Sequence, residues 1–213
     1  MKKIIAILTS FILVTVTAQA AEVGIGITGA FHSIDGDGTE TTRQSSEKNT
    51  GSHSNEVTVP EVFIEAIADN GWAIGVSYIP TRSMGSKSRK DTNSAGDTGT
   101  YTAKAEIDNA VQLYTDIPVL SFPLHLKLGI QHITVSTLES LNSGSTYPDA
   151  NLLGTTVGLG TKGSIPYAGD NMYFKAEVTY TDFDSYSAMS DTDNKLEADF
   201  DSTAAKLSIG YKF

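Results

Sequence analysis

Apolar and polar residues alternate along eight segments of the chain. In the last segment, apolar residues stand at positions 205, 207, 209, 211 and 213, and the polar residues Lys206, Ser208 and Lys212 stand between them. A period of two predicts a β-strand with one apolar and one polar face. The eight predicted strands span about 23–32, 57–68, 72–78, 100–115, 124–131, 153–162, 172–180 and 205–213. The pattern therefore predicts an all-β fold.

The connections between these strands alternate in length. Long polar segments occupy 33–56, 82–99, 137–150 and 185–197, whereas 69–71, 116–123 and 164–170 are short turns. Transmembrane barrels place their long loops outside the cell and their short turns in the periplasm. The alternation predicts an eight-stranded antiparallel up-and-down transmembrane β-barrel with both chain ends at the periplasmic end.

Two positions disturb the alternation. The second strand changes parity near Pro60, which predicts a β-bulge or an irregular strand top there. In the fourth strand, Asn109 interrupts a face that otherwise carries apolar residues from Tyr101 to Leu113. The pattern offers no explanation for Asn109.

The first twenty residues have the features of a secretory signal. Lys2 and Lys3 precede an apolar run from Ile4 to Val16, and Ala18-Gln19-Ala20 is a small-x-small cleavage site. These features predict a signal peptide over 1–20, export through the Sec pathway and a barrel domain over 21–213. The apolar run is too short to favour a retained membrane anchor.

Composition narrows the class of protein. The chain has no cysteine and a formal net charge of −10, which argues against general binding of nucleic acid. Ser, Thr, Asn, Asp and Gly are too abundant for a helical membrane protein. They suit a barrel that exposes only every second residue to lipid.

The polar strand faces carry equal numbers of acids and bases, although the whole chain is acidic. Such a balance favours paired charges in a narrow lumen, where an unpaired charge would be costly. The alternative is a lipocalin-like soluble barrel, with these charges in solvent and the apolar face around a ligand. The predicted lumen charges are Glu61, Glu65, Lys104, Glu106, Asp108, Lys127, Lys162, Lys175, Glu177 and Lys206.

Aromatic residues on the apolar faces lie near strand ends, as in the two aromatic girdles of a membrane-spanning barrel. Trp72, Tyr211 and Phe213 are predicted at the periplasmic boundary. Phe31, Tyr78, Tyr101 and Tyr180 are predicted at the outer boundary.

The terminal strand ends on an aromatic residue, Phe213, with Tyr211 two positions before it and Lys206 farther back. Together with the signal, the alternation and the loop lengths, this tail resembles the small Gram-negative outer membrane β-barrels of the OmpA/OmpX/OmpW type. Ser208 stands where that family prefers Gly. The resemblance implies that Lys206, Tyr211 and Phe213 form the signal read by the barrel assembly machinery, and that the last strand closes the barrel against the first. It also implies contact with outer membrane lipid and lipopolysaccharide. We expect a monomer.

The search for a catalytic or metal-binding constellation finds none. His125 and His132 have opposite parity on one strand, so they are predicted to face opposite sides. The acidic segments 35–38 and 191–194 lack the spacing of an EF-hand. We expect no enzymatic activity, no cofactor and no metal.

One predicted outer loop is basic, because it carries Arg82, Lys87, Arg89 and Lys90. Such a loop suits contact with lipopolysaccharide phosphates, although a solvated loop without a partner has the same composition.

The predicted function is a structural or surface-interaction role with a narrow, charge-filled lumen. One alternative is a small-solute channel, because the many Gly, Ser and Thr on the inner faces would leave space. A more distant alternative is an outer membrane lipid-modifying enzyme, since the family includes a few such enzymes and membership does not fix the activity.

Overall fold

The computed structural model describes residues 22–43, 46, 48–92, 98–119, 123–138, 146–166, 169, 171–191 and 193–213. The predicted signal peptide lies outside these ranges. Within them, no helix is long and apolar enough to cross a membrane.

The described residues form ten β-strands that make eight staves of one sheet. Here a stave is one of the eight positions in the barrel wall, occupied by one strand or by two strands in succession. β3 and β4 both pair with β5, and β8 and β9 both pair with β10, so each of these two pairs of strands forms one interrupted stave. The strands are β1 (Glu22–Thr41), β2 (Lys48–Ile67), β3 (Ala73–Ile79), β4 (Arg82–Thr92), β5 (Thr98–Val119), β6 (Leu124–Thr137), β7 (Ala150–Ser164), β8 (Met172–Phe183), β9 (Tyr186–Met189) and β10 (Lys195–Lys212). Their paired neighbours are antiparallel and follow chain order, which confirms the predicted up-and-down topology.

The sheet closes on itself through β1 and β10. Their ladder runs from Gly24 opposite Lys212 to Thr41 opposite Lys195. Val23 and Phe213 exchange two further backbone hydrogen bonds of 3.1 and 3.0 Å. Closure removes the exposed edges that an open sheet would present, and it confirms the eight-stranded barrel.

The barrel wall extends far beyond the predicted strands. The β1–β2 ladder continues to Thr41 opposite Lys48, and β4 with β5 forms a second long hairpin. The prediction that 33–56 and 82–99 are loops is therefore wrong for most of their length. Residues 48–54 are exposed on both faces of β2. Because a strand solvated on both sides needs no apolar face, its sequence shows no period.

The predicted bulge at Pro60 is also wrong, since the β1–β2 register is unbroken. Val57, Val59 and Glu61 share the inward face. The interior changes from apolar to charged at this point while the parity of the strand stays the same.

A real change of parity occurs at Asn109. This residue has a φ of 46°, and the β5–β6 register shifts between Asp108 and Val111. Ala110 faces inward on one side of the bulge and Ile107 faces inward on the other. Three residues predicted in the lumen, Lys104, Glu106 and Asp108, consequently lie on the outer face, and that prediction is wrong.

The outside of the barrel carries exposed apolar side chains on all eight staves. This arrangement, with the buried charges inside, excludes the lipocalin-like alternative for this fold. Examples, one from each stave, are Ile27, Ile64, Val76, Val111, Leu124, Leu159, Val178 and Leu207.

The aromatic residues of the predicted girdles lie largely on this outer face. Trp72, Tyr211 and Phe213 lie near the chain ends, and the rings of Tyr211 and Phe213 are 6.2 Å apart. Three more exposed aromatics, Phe31, Tyr78 and Tyr180, lie farther along their staves. The backbone of Tyr101 lies on β5 beyond the bulge, and its side chain is outside the described set.

Candidate functional site

Side chains fill the interior of the barrel in three sections along its axis. The inner network, nearest the chain ends, consists of Glu65, Tyr114, Asp116, His125, Lys127, Lys162, Tyr173, Lys175 and Glu177. The outer network consists of His32, Glu61, Ser202 and Lys206. Beyond it lies an apolar plug that includes Ile34, Ile79, Ile107, Ile133, Val135 and Phe183.

Glu65 is the centre of the inner network, and its side chain is fully buried. Lys175 Nζ lies 2.8 Å from Oε2, and Lys162 Nζ lies 3.1 Å from Oε1. The hydroxyls of Tyr114 and Tyr173 donate to the same carboxylate at 2.7 and 2.9 Å. Four donors from three strands, β5, β7 and β8, therefore converge on one carboxylate and balance its charge.

A second group of charges adjoins Glu65. Lys127 Nζ lies 2.7 Å from Asp116 Oδ1 and 3.1 Å from Glu177 Oε1. His125 Nε2 is 2.8 Å from the same Glu177 oxygen. Asp116, His125 and Glu177 lie close enough together to ligate a metal ion. The ammonium of Lys127 already lies between the two carboxylates, however, so the group is an ion-pair cluster and does not suit a second cation.

The outer network is organised around Glu61. Lys206 Nζ is 3.0 Å from both Glu61 oxygens, and His32 Nε2 is 3.2 Å from Oε1. The other ring nitrogen of His32 lies 3.2 Å from Ser202 Oγ. Lys206 thus connects the terminal strand to β2 across β1.

Inward-facing glycines make room for the aromatic rings of the inner network. A Cβ at Gly75 would lie 2.5 Å from the Tyr114 ring and 2.8 Å from a backbone oxygen. Gly24 faces the hydroxyl of Tyr173, and Gly210 faces its ring, so closely that a Cβ at either position would overlap the side chain. The small residues that favoured a channel therefore leave space that aromatic side chains occupy.

The apolar plug closes the interior on the outer side of the charged networks. Ile79, Ile107 and Ile133 have no exposed surface, and Val135 and Phe183 pack in the same cluster. Beyond the plug is a cavity of about 220 Å³ lined by Met84, Tyr186, Leu196 and Phe200, among others. The prediction of a narrow, charge-filled lumen therefore describes only part of the interior.

Hydrogen bonds connect the β1–β2 hairpin and the segments 137–150 and 185–197 at the outer rim of the barrel. Tyr147 Oη donates to Glu40 Oε1 at 2.7 Å, and Asn194 Nδ2 donates to the same oxygen at 3.3 Å. The backbone amide of Thr146 donates to Asp191 Oδ1 at 2.9 Å. These contacts join the β1–β2 hairpin to two other outer segments.

Arg82 lies inside the barrel and is 3 % exposed, which contradicts its prediction as part of a basic outer loop. The break at positions 80 and 81 allows Ile79 and Arg82 both to face inward. The backbones of Lys87, Arg89 and Lys90 lie on β4, and their side chains are outside the described set.

Seven of the ten charges predicted in the lumen lie in the interior networks: Glu61, Glu65, Lys127, Lys162, Lys175, Glu177 and Lys206. The other three, Lys104, Glu106 and Asp108, face outward. The predicted set lacks Asp116, because the fourth predicted strand ends at Thr115. Asp116 has the same parity as Gln112 and Tyr114, so the signal was present in the sequence.

Comparisons with known proteins concern the fold alone. No family model and no curated protein matches the chain. Solved structures that resemble it in fold include outer membrane proteins. The outer membrane protease OmpT from Escherichia coli is 10% identical over 92% of this chain and 99% of its own, with a TM-score of 0.48. The outer membrane protein AlkL is 10% identical over 93% of each chain, with a TM-score of 0.48. Ail of Yersinia pestis, in complex with the heparin analogue sucrose octasulfate, is 14% identical over 88% of this chain and 99% of its own, with a TM-score of 0.37. Likeness at this level carries no argument about activity.

Proposed function

We propose that this protein is an outer membrane β-barrel of a Gram-negative bacterium with a closed interior and a structural or surface-interaction role. The observation that carries the proposal is the filled interior, in which two ion-pair networks and an apolar plug follow one another along the axis. The role is non-enzymatic.

The outer face supports the membrane location. Every stave carries exposed apolar side chains, and some of them, such as Leu159 and Leu207, are more than half exposed. A belt of this kind around a soluble monomer would be a large apolar surface in water. In a bilayer the same belt contacts lipid, and the closed sheet pairs the backbone polar groups of neighbouring strands with one another.

The interior supports a closed barrel over a small-solute channel. An eight-stranded barrel is just wide enough for side chains to fill it. Here Lys175, Glu65 and Asp116 are almost fully buried at one level, and Ile79 and Ile107 are fully buried at another. A hydrated ion would have to displace both sections to pass.

The wall beyond the membrane supports a surface role. The β1–β2 hairpin continues through polar residues to Thr41 and Lys48, and Glu40 ties it to neighbouring outer segments. Such a rim presents a fixed polar surface outside the cell. Lipid and lipopolysaccharide are the partners proposed for the wall, and the barrel assembly machinery is the proposed partner of Lys206, Tyr211 and Phe213 during export and insertion of a monomer.

Conductance in planar bilayers tests the closed interior. We expect no stable current from the purified protein. The double variant Tyr114→Ala, Phe183→Ala removes one ring from the inner network and one from the apolar plug. It serves as the positive control, because we expect it to open the interior and to conduct. Stable conductance of the unaltered protein would establish the channel alternative.

Extraction and gel migration test the location. We expect the protein to leave isolated outer membranes only with detergent, and to migrate differently on a gel before and after boiling. Recovery in the soluble periplasmic fraction would contradict the proposal. Wild-type protein refolded into lipid vesicles provides the reference migration.

A further inference from the structure

Arg82 differs from every other buried cation in the described part of the chain, because no carboxylate neutralises it at close range. Lys127, Lys175 and Lys206 each have a carboxylate oxygen at 3.0 Å or less. Among the described residues, Arg82 has no carboxylate oxygen within 4.0 Å, and its Nε and Nη1 have no hydrogen-bond partner.

The electrostatic neighbours of Arg82 do not supply the missing counter-charge. Glu61 is the acidic group that acts on Arg82, but Lys206 already contacts both of its oxygens. His32, which contacts the same carboxylate, is also near Arg82 and adds no negative charge. Among the described residues, Glu61 is therefore the one nearby carboxylate for two cations, Lys206 and Arg82.

The burial of Arg82 makes this imbalance costly. Its side chain starts from β4 opposite Ile107, a member of the apolar plug, and reaches toward the outer network. A buried charge without a partner has a large desolvation penalty, and buried charges in folded proteins are normally paired. A guanidinium stays protonated, so it cannot avoid the penalty by losing a proton.

We propose that Arg82 forms the binding site for a small inorganic anion, such as chloride, inside the barrel between the outer network and the apolar plug. The unpartnered donors of the guanidinium hold the anion by charge-assisted hydrogen bonds. Arg82 is almost fully buried and is not among the residues that line the outer cavity, so the enclosed position suits a single small anion and excludes a lipid headgroup.

Linkage between anion concentration and unfolding tests the site. An anion that binds only the folded state stabilises it by mass action. With urea as an uncharged denaturant, at constant ionic strength maintained with gluconate, we expect the unfolding constant of the full chain to fall up to tenfold for each tenfold rise in chloride. Arg82→Gln should abolish this dependence.

Arg43→Gln is the matched control, because Arg43 is exposed and pairs with Asp193 at the outer rim. This variant should keep the chloride dependence of the wild type. The proposal is overturned if wild-type unfolding does not respond to chloride, or if Arg82→Gln responds as strongly as the wild type.

Crystals of the wild-type protein grown in bromide provide a second measurement, which does not depend on the folding of a variant. We expect an anomalous bromide peak within hydrogen-bonding distance of the Arg82 guanidinium. Water alone at that position, in a map that shows bromide elsewhere, would rule out the site.

Discussion

Replacement of Glu65 by glutamine should strongly destabilise the barrel. The side chain of Glu65 is fully buried, forms ion pairs with two lysines and accepts hydrogen bonds from two tyrosine hydroxyls. Glutamine keeps the shape and one acceptor oxygen, but it removes the negative charge and directs an NH₂ group at donors. Lys175 would then keep only Asp116, at 3.3 Å, as a carboxylate partner.

The size of this effect follows from the burial of the network. Removing one partner of a buried ion pair costs about 3–5 kcal/mol, because the other charge remains buried and unpaired. Lys162 is 23 % exposed and can turn toward water, so most of the cost comes from Lys175, which is 2 % exposed. We therefore expect a loss at the lower end of the range, about 3 kcal/mol.

Urea unfolding from lipid vesicles, followed by the fluorescence of the single tryptophan, Trp72, measures the change. Glu106→Gln is the matched control, because Glu106 pairs with Lys104 at 2.5 Å on the outer face. An exposed pair contributes less than about 1 kcal/mol. If both variants lose the same small amount of stability, the inner network does not stabilise the barrel in the way argued above.

Three further predictions concern the bulge, the outer rim and the terminus. Asn109→Val should lower the free energy of unfolding in urea by about 1–2 kcal/mol, because a β-branched residue is strained at a φ of 46°. Asn109→Gly should be close to neutral, and equal stability of the two variants would refute the bulge. Burial and the charge of Asp35 raise the pKa of Asp201. The carboxyl of Asp201 therefore contributes stability below its unfolded pKa, and this contribution is lost as the pH rises through its folded pKa. Asp201→Asn should therefore raise stability at neutral pH by about 0.2–1 kcal/mol and leave acid stability unchanged, and a variant less stable than the wild type at neutral pH would contradict this. Deletion of Phe213, or Phe213→Asp, should lower the amount of folded protein in the outer membrane, whereas normal levels on a heat-modifiability gel would show that the tail is not an assembly signal.

The sequence predicts the elements whose two faces differ. Alternation located all eight staves, because a strand with lipid on one side and a packed interior on the other must carry unlike residues at odd and even positions. Glu61, Glu65, Lys175 and Lys206 were predicted in the lumen for this reason, and they lie there.

Alternation fails where both faces of a strand meet the same medium. Residues 48–54 have water on both sides, so their ladder leaves no period in the sequence. At Pro60 the pattern predicts an irregularity in a strand that is regular, because the inward face carries the apolar Val59 and then the charged Glu61. That sequence of residues resembles a bulge only if the interior is assumed to be uniform.

The alternation of inward and outward residues is interrupted at positions 80–81 and 108–109, and a prediction that assumes a uniform interior misses both interruptions. Ile79 lies opposite Ala110, and Arg82 lies opposite Ile107, so two neighbouring staves change parity at the same level. Without this change, the acidic Asp108 would continue the inward face in place of Ile107. The plug therefore depends on a local backbone conformation at Asn109 as much as on hydrophobic composition. The same change brings Arg82 inside, and this explains why the unpaired cation lies where the polar interior ends and the apolar seal begins.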